Sequence, residues 1–156
     1  MRNIKNVEKK DWIFFLVGII LSVLFYIFCA DVYECDLLYY EPEFSNEMYN
    51  QGLYNLAAII ALVTCWGVGI LYYLVLEHAF TCDRWYHWLI SIVIVLALAP
   101  TVTFYTIDDN MQERNLDFLL QEQNFAIASL GVSFVLYMIV CFALKGLSLN
   151  NSKTPF

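Results

Sequence analysis

FAIASLGVSFVLYMIVCFAL, residues 125–144, runs for twenty residues without a charged side chain. As a helix rising about 1.5 Å per residue it is roughly 30 Å long, the thickness of a bilayer's hydrocarbon core. Three more blocks of this kind precede it: WIFFLVGIILSVLFYIFCA (12–30), LYNLAAIIALVTCWGVGILYYLVL (53–76) and WYHWLISIVIVLALAPTVTFYT (85–106). The chain of 156 residues is 61% apolar and 15% charged, whereas a soluble domain is about half apolar and a quarter charged. The excess of apolar surface needs lipid around it. The expected fold is all-α: one polytopic domain of four transmembrane helices.

The first block follows the charged start RNIKNVEKK and is read as a retained span. Its apolar run exceeds a typical signal core, Glu8 and Asp11 interrupt the basic start, and no small-x-small pair precedes a cut. Bulky Ile27 and Phe28 argue equally against a lipoprotein cut before Cys29.

Lys and Arg near span ends stay cytoplasmic. Arg2, Lys5, Lys9, Lys10, Arg84, Lys145 and Lys153 fall in one set of connecting segments, and only Arg114 falls in the other. Both termini are therefore expected inside, at the plasma (inner) membrane. The inner segments then carry +3 and the outer ones −10, which together make the formal −7. The outer loops are 31–52, with Asp31, Glu34, Asp36, Glu41, Glu43 and Glu47, and 107–124, with Asp108, Asp109, Glu113, Asp117 and Glu122. A short inner loop, 77–84, joins the second and third spans. Acids contribute little to orientation, so their clustering outside marks either simple solvation or a surface that attracts a basic partner or cations.

Trp and Tyr gather at the block ends, where amphipathic rings meet headgroups. Trp66 lies mid-span, so a neighbouring helix is expected to offer its indole N–H an acceptor. Gly18 and Ser22, Ala57 and Ala61, Gly67 and Gly69, and Ser129 and Ser133 supply the small residues on which helices in lipid pack closely. Pro100 is expected to bend or loosen the third span, with Thr101 and Thr103 beside it to satisfy freed carbonyls. Leu116, Leu119 and Leu120 suggest that the fourth helix begins before the membrane and projects outward with one apolar face.

Reactive constellations are sparse. No Asp, Glu, Lys or Arg lies within the four blocks, and His87 stands only at the border of the third, against the habit of transporters and proton relays. His78 and His87 are too few and too peripheral for a haem pair, and TIDDN lacks the glycine and later ligands of a calcium loop. Cys29 and Cys35 are close enough in sequence to pair on the outer side; Cys65 and Cys141 fall within spans and Cys82 lies inside. The second outer loop has no cysteine, which separates the chain from four-helix membrane oxidoreductases that make disulfides. Asn150-Asn151-Ser152 fits a glycosylation acceptor but lies inside in this topology. No metal, cofactor or nucleic-acid partner is expected. The expected function is contact: a non-enzymatic inner-membrane protein that meets a membrane or secreted protein through its helices and outer loops, as an accessory subunit of an envelope complex or as an immunity-type guard against a pore-forming toxin. Self-association is compatible with the small-residue faces. The alternatives are an oligomeric cation channel or passive transporter with an acidic mouth, and, third, a lipid enzyme at the inner border using His78, Asp83 and His87.

Overall fold

The computed structural model describes residues 9–34, 41–76, 85–114 and 116–145. Their regular structure is all helical: α1 (Lys9–Ile27), α2 (Cys29–Tyr33), α3 (Pro42–Asn50), α4 (Leu53–Ile70) continued by a π-helical segment at Leu71–Leu76, α5 (Trp85–Gln112) and α6 (Leu119–Lys145). Leu53–Leu76, Tyr86–Gln112 and Leu119–Lys145 are long and apolar enough to cross a membrane, and Asp11–Ile27 is a shorter apolar helix. Ile27, Val63, Val93 and Ile127 are each more than 60% exposed, while Ser22, Ser91, Ser129 and Ser133 are buried. An exterior of that kind is stable against acyl chains, where each polar group must find its partner inside the bundle.

α6 is the centre of the bundle, packed along α5 and against α1 and α4. Its buried residues Phe125, Ser129, Ser133, Leu136, Val140 and Leu144 recur every three or four positions, which lines up one helical face. Gly18 brings α1 onto Ala143 so closely that a Cβ there would collide with the alanine. Gly69 faces Val140 and Leu144, and Ala57 and Ala61 are fully buried. Gly67 differs from expectation: nothing lies within 4 Å of where its Cβ would be. Residues two apart on a helix point in nearly opposite directions, so Gly67 and Gly69 cannot serve the same neighbour. In the π-helical segment the wider turn directs both Tyr72 and Tyr73 inward, with their rings edge-on at 4.9 Å.

The expected acceptor for Trp66 is Ser22, whose Oγ receives the indole Nε1–H at 2.9 Å while donating to the Gly18 carbonyl at 2.8 Å. Pro100 is buried and α5 continues through it. Thr103 Oγ1 is buried without a hydrogen-bond partner and Thr101 is exposed, so Thr103 does not repair the ladder as expected.

The acidic stretches also differ from open loops. Most of 107–124 is helix, because α5 runs on to Gln112 and α6 begins at Leu119. Leu116 precedes α6 and packs on the core with Phe118, whereas Leu119 and Leu120 are exposed, so the three leucines do not share a face. The segment 77–84 with His78, Cys82 and Asp83, together with Cys35, Asp36 and the sequon at 150–152, lies outside the described residues.

Candidate functional site at the acidic end

The end of the bundle that carries the acids is closed by a helical cap. α3 has Pro42 at its start, where the missing N–H is not needed, and Phe44 and Met48 one turn apart. Both are 0% exposed. The Phe44 ring meets Phe118 at 5.7 Å and Phe125 at 6.5 Å, and Tyr33 and Tyr54 close around Phe125 at 5.0 and 6.0 Å. Burial of an aromatic cluster of this size is the main force holding α3 across the bundle. Ser45 Oγ and Tyr54 Oη share a hydrogen bond of 3.2 Å, which ties the cap to α4.

Only Gln51 and Gly52 connect α3 to α4, and Gly52 turns the chain with φ +66° and ψ 23°. A side chain there has room but resists the left-handed backbone. Gly52→Ala is expected to destabilise the cap by about 1 kcal/mol, read as a lower melting temperature in detergent; an unchanged value would mean that the turn relaxes freely.

The cap sets out the charges. Asp31, Glu34, Glu43, Asp109, Glu113 and Asp117 are exposed, and Glu41, Glu47 and Asp108 are half-buried. Arg114 Nη1 stands 4.0 Å from Glu47 Oε2, with both side chains partly in solvent, so this ion pair adds little stability. Gln51 Nε2 donates to the same Glu47 oxygen. Cys29 is free and donates its thiol proton to Asn55 Oδ1 at 3.0 Å, which joins α2 to α4.

Sequence reasoning placed Glu122 among solvated acids, and the structure buries it. It is 2% exposed, three residues before the uncharged block that begins at Phe125, and its Oε2 has no hydrogen-bond partner. Its neighbour is Asp108, across the α5–α6 contact. Burial, followed by the charge and hydrogen bond of Asp108 and the charge of Asp117, pushes the Glu122 carboxyl up to about 7. A signal was present: 122, 125, 129 and 133 continue one buried face back beyond the apolar block.

Along that face Ser129 Oγ and Ser133 Oγ also lack partners, and Tyr33 Oη faces Ser129 without completing a hydrogen bond. At the opposite end Tyr137 Oη donates to Ser91 Oγ at 2.6 Å, and Ser91 donates to the Trp88 carbonyl at 2.7 Å. His87 packs edge-on against Tyr86 at 4.3 Å and its Nδ1 is buried and unpaired. Among the described residues no three His, Cys, Asp or Glu side chains converge on a metal site. Compared with protein families, curated proteins and solved structures, the chain matches none.

Proposed function

We propose that this is a four-span plasma (inner) membrane protein with both termini in the cytoplasm, which works without catalysis by contact between its acidic end and a basic protein partner. α1 and α2 form a nearly unbroken first span: Phe28 N–H bonds Leu24 O at 3.0 Å and Val32 N–H bonds Phe28 O at 3.1 Å, carrying the helix across the turn at Phe28. The distribution of Lys and Arg supports the orientation.

The observation that carries the contact reading is the folded cap. Exposed acids on a helix anchored by Phe44 and Met48 are held in a fixed array. A fixed array loses less freedom on binding than charges on an open loop, and it selects a partner of complementary charge. An accessory subunit of an envelope complex and an immunity-type guard both use a surface of this kind, with lipid-facing helices available for lateral contact.

The test is copurification from gently solubilised membranes. Reversing Glu43, Asp109 and Glu113 to Lys is expected to weaken partner recovery by at least about tenfold at low salt, and wild-type recovery is expected to fall as salt rises. A chain that migrates alone under all these conditions refutes the reading. Selective conductance in a planar bilayer that drops when Asp108, Asp109 and Glu113 are neutralised would assign the alternative, a cation channel.

A further inference from the structure

We infer that Asp108 and Glu122 form a proton-binding latch, in which one proton shared between the two carboxyl groups holds α5 to α6 beneath the cap and its loss loosens that end of the bundle. The geometry leads here. Asp108 stands beside the buried Glu122 carboxyl, and two neighbouring carboxylates carry no donor between them, so they can share a hydrogen bond only with a proton on one of them. Glu122 is the more buried, with its second oxygen enclosed and unpartnered. Asp108 is half-buried and accepts a further hydrogen bond from Gln112 Nε2 at 2.9 Å. The proton therefore belongs on Glu122, which donates to Asp108.

Among the described residues the surroundings offer no positive charge in its place. From the segment before α6 comes Asp117, a third acid. From α3 comes Glu47, engaged by Gln51 and Arg114, and that arginine is 58% exposed at its side chain. α2 and α4 present phenols and a thiol: Tyr33 and Tyr54 against Phe125, and Cys29 bonded to Asn55. The exposed acids Asp31, Glu34, Glu43, Asp109 and Glu113 only add negative potential. When the proton leaves for solvent, two carboxylates remain face to face, one of them in a dry site, and repulsion plus desolvation favour separation.

The sign follows from the carboxyl's higher proton affinity in the folded chain. Protection of the acidic end is greatest below the ordinary glutamate value of 4.5 and is lost as pH rises through about 7. The latch does not depend on the proposed partner and operates whichever compartment this end faces.

Infrared titration of the intact protein in detergent or lipid tests it. The wild type is expected to show the C=O stretch of a protonated carboxylic acid that disappears with a midpoint near 7. Glu122→Gln, which keeps the shape of the protonated acid, is expected to abolish that band. Asp108→Asn removes the neighbouring charge and is expected to lower the midpoint by about one unit or more. Hydrogen exchange at 42–50 and 107–125, compared at each pH with that of the Glu122→Gln protein, is expected to accelerate in the wild type as pH rises from 5 to 8. A titration at the ordinary carboxylate value, or a neutral-range band that survives Glu122→Gln, overturns the proposal. If Asp108→Asn fails to fold, the wild type and Glu122→Gln still decide it.

Discussion

Gly18→Val is expected to push α1 off the bundle, lowering stability by more than the roughly 1–3 kcal/mol typical of an overpacked core. The Cβ added at Gly18 meets the Cβ of Ala143, with that residue's Cα only 3.7 Å away. Alanine has no rotamer to change, so relief requires the two helix backbones to part. Parting them also separates Ser22 from Trp66, because that hydrogen bond spans α1 and α4 one turn along. The indole then loses its acceptor in an apolar setting, where an unmet donor is costly. Two comparisons isolate the cause. Gly69→Ala meets Val140 Cγ1 and Leu144 Cδ1 rather than backbone; Leu144 can turn aside while the β-branched Val140 is held near one rotamer, so a loss is expected that is smaller than that of Gly18→Val. Gly67→Ala meets open space and removes a flexible residue from a helix, so it is expected to be neutral or slightly stabilising. Thermal unfolding in mild detergent, with tryptophan emission reporting on Trp66, measures all three. Equal stability of Gly18→Val and Gly67→Ala would show that α1 is not held by close approach.

Phe44→Ala is the second large effect. The ring is fully buried between Phe118 and Phe125, and truncation of a buried Phe costs about 3–5 kcal/mol in a well-packed core. The loss falls on one short helix. α3 has only nine residues, too few to be stable by itself, so the expected outcome is local. Residues 42–50 should become open to protease and exchange quickly, while the long helices keep their protection. Met48→Ala is expected to act in the same direction with a smaller effect, since the aromatic pairs remain. In the proposed contact, Phe44→Ala is also expected to weaken partner recovery without altering a single charge, because the acids lose their fixed array. Unchanged proteolysis of the cap in Phe44→Ala would sink the account of how α3 is anchored.

These two residues show what was and was not legible. Gly18 was readable: a glycine one turn from a serine in an uncharged block is a familiar sign of helix contact, and its partner alone was unknown. The cap was readable in part. Pro42, the Phe44–Met48 spacing and Gly52 are a helix start, an apolar face and a helix exit, yet six acids nearby made solvation the simpler inference. Glu122 was the least legible. The 122, 125, 129, 133 spacing and Phe118 four residues before it were visible locally, but its burial also depends on α5 continuing six residues past Thr106 and on α3 covering the same end, and neither is a property of its own neighbourhood in sequence.

Chain chemistry alone determined the helical class, the apolar stretches and the uneven placement of charge. These depend on the solvent each stretch requires, and solvent preference is a sum over residue types in a window. Tertiary structure alone decided which glycine touches a neighbour, that the acidic stretch folds into a cap, and that Glu122 is shut away from water. Those outcomes depend on which faces meet. Facing is set by contacts between residues far apart in the chain, and a charge is costly or harmless according to what other helices bring against it.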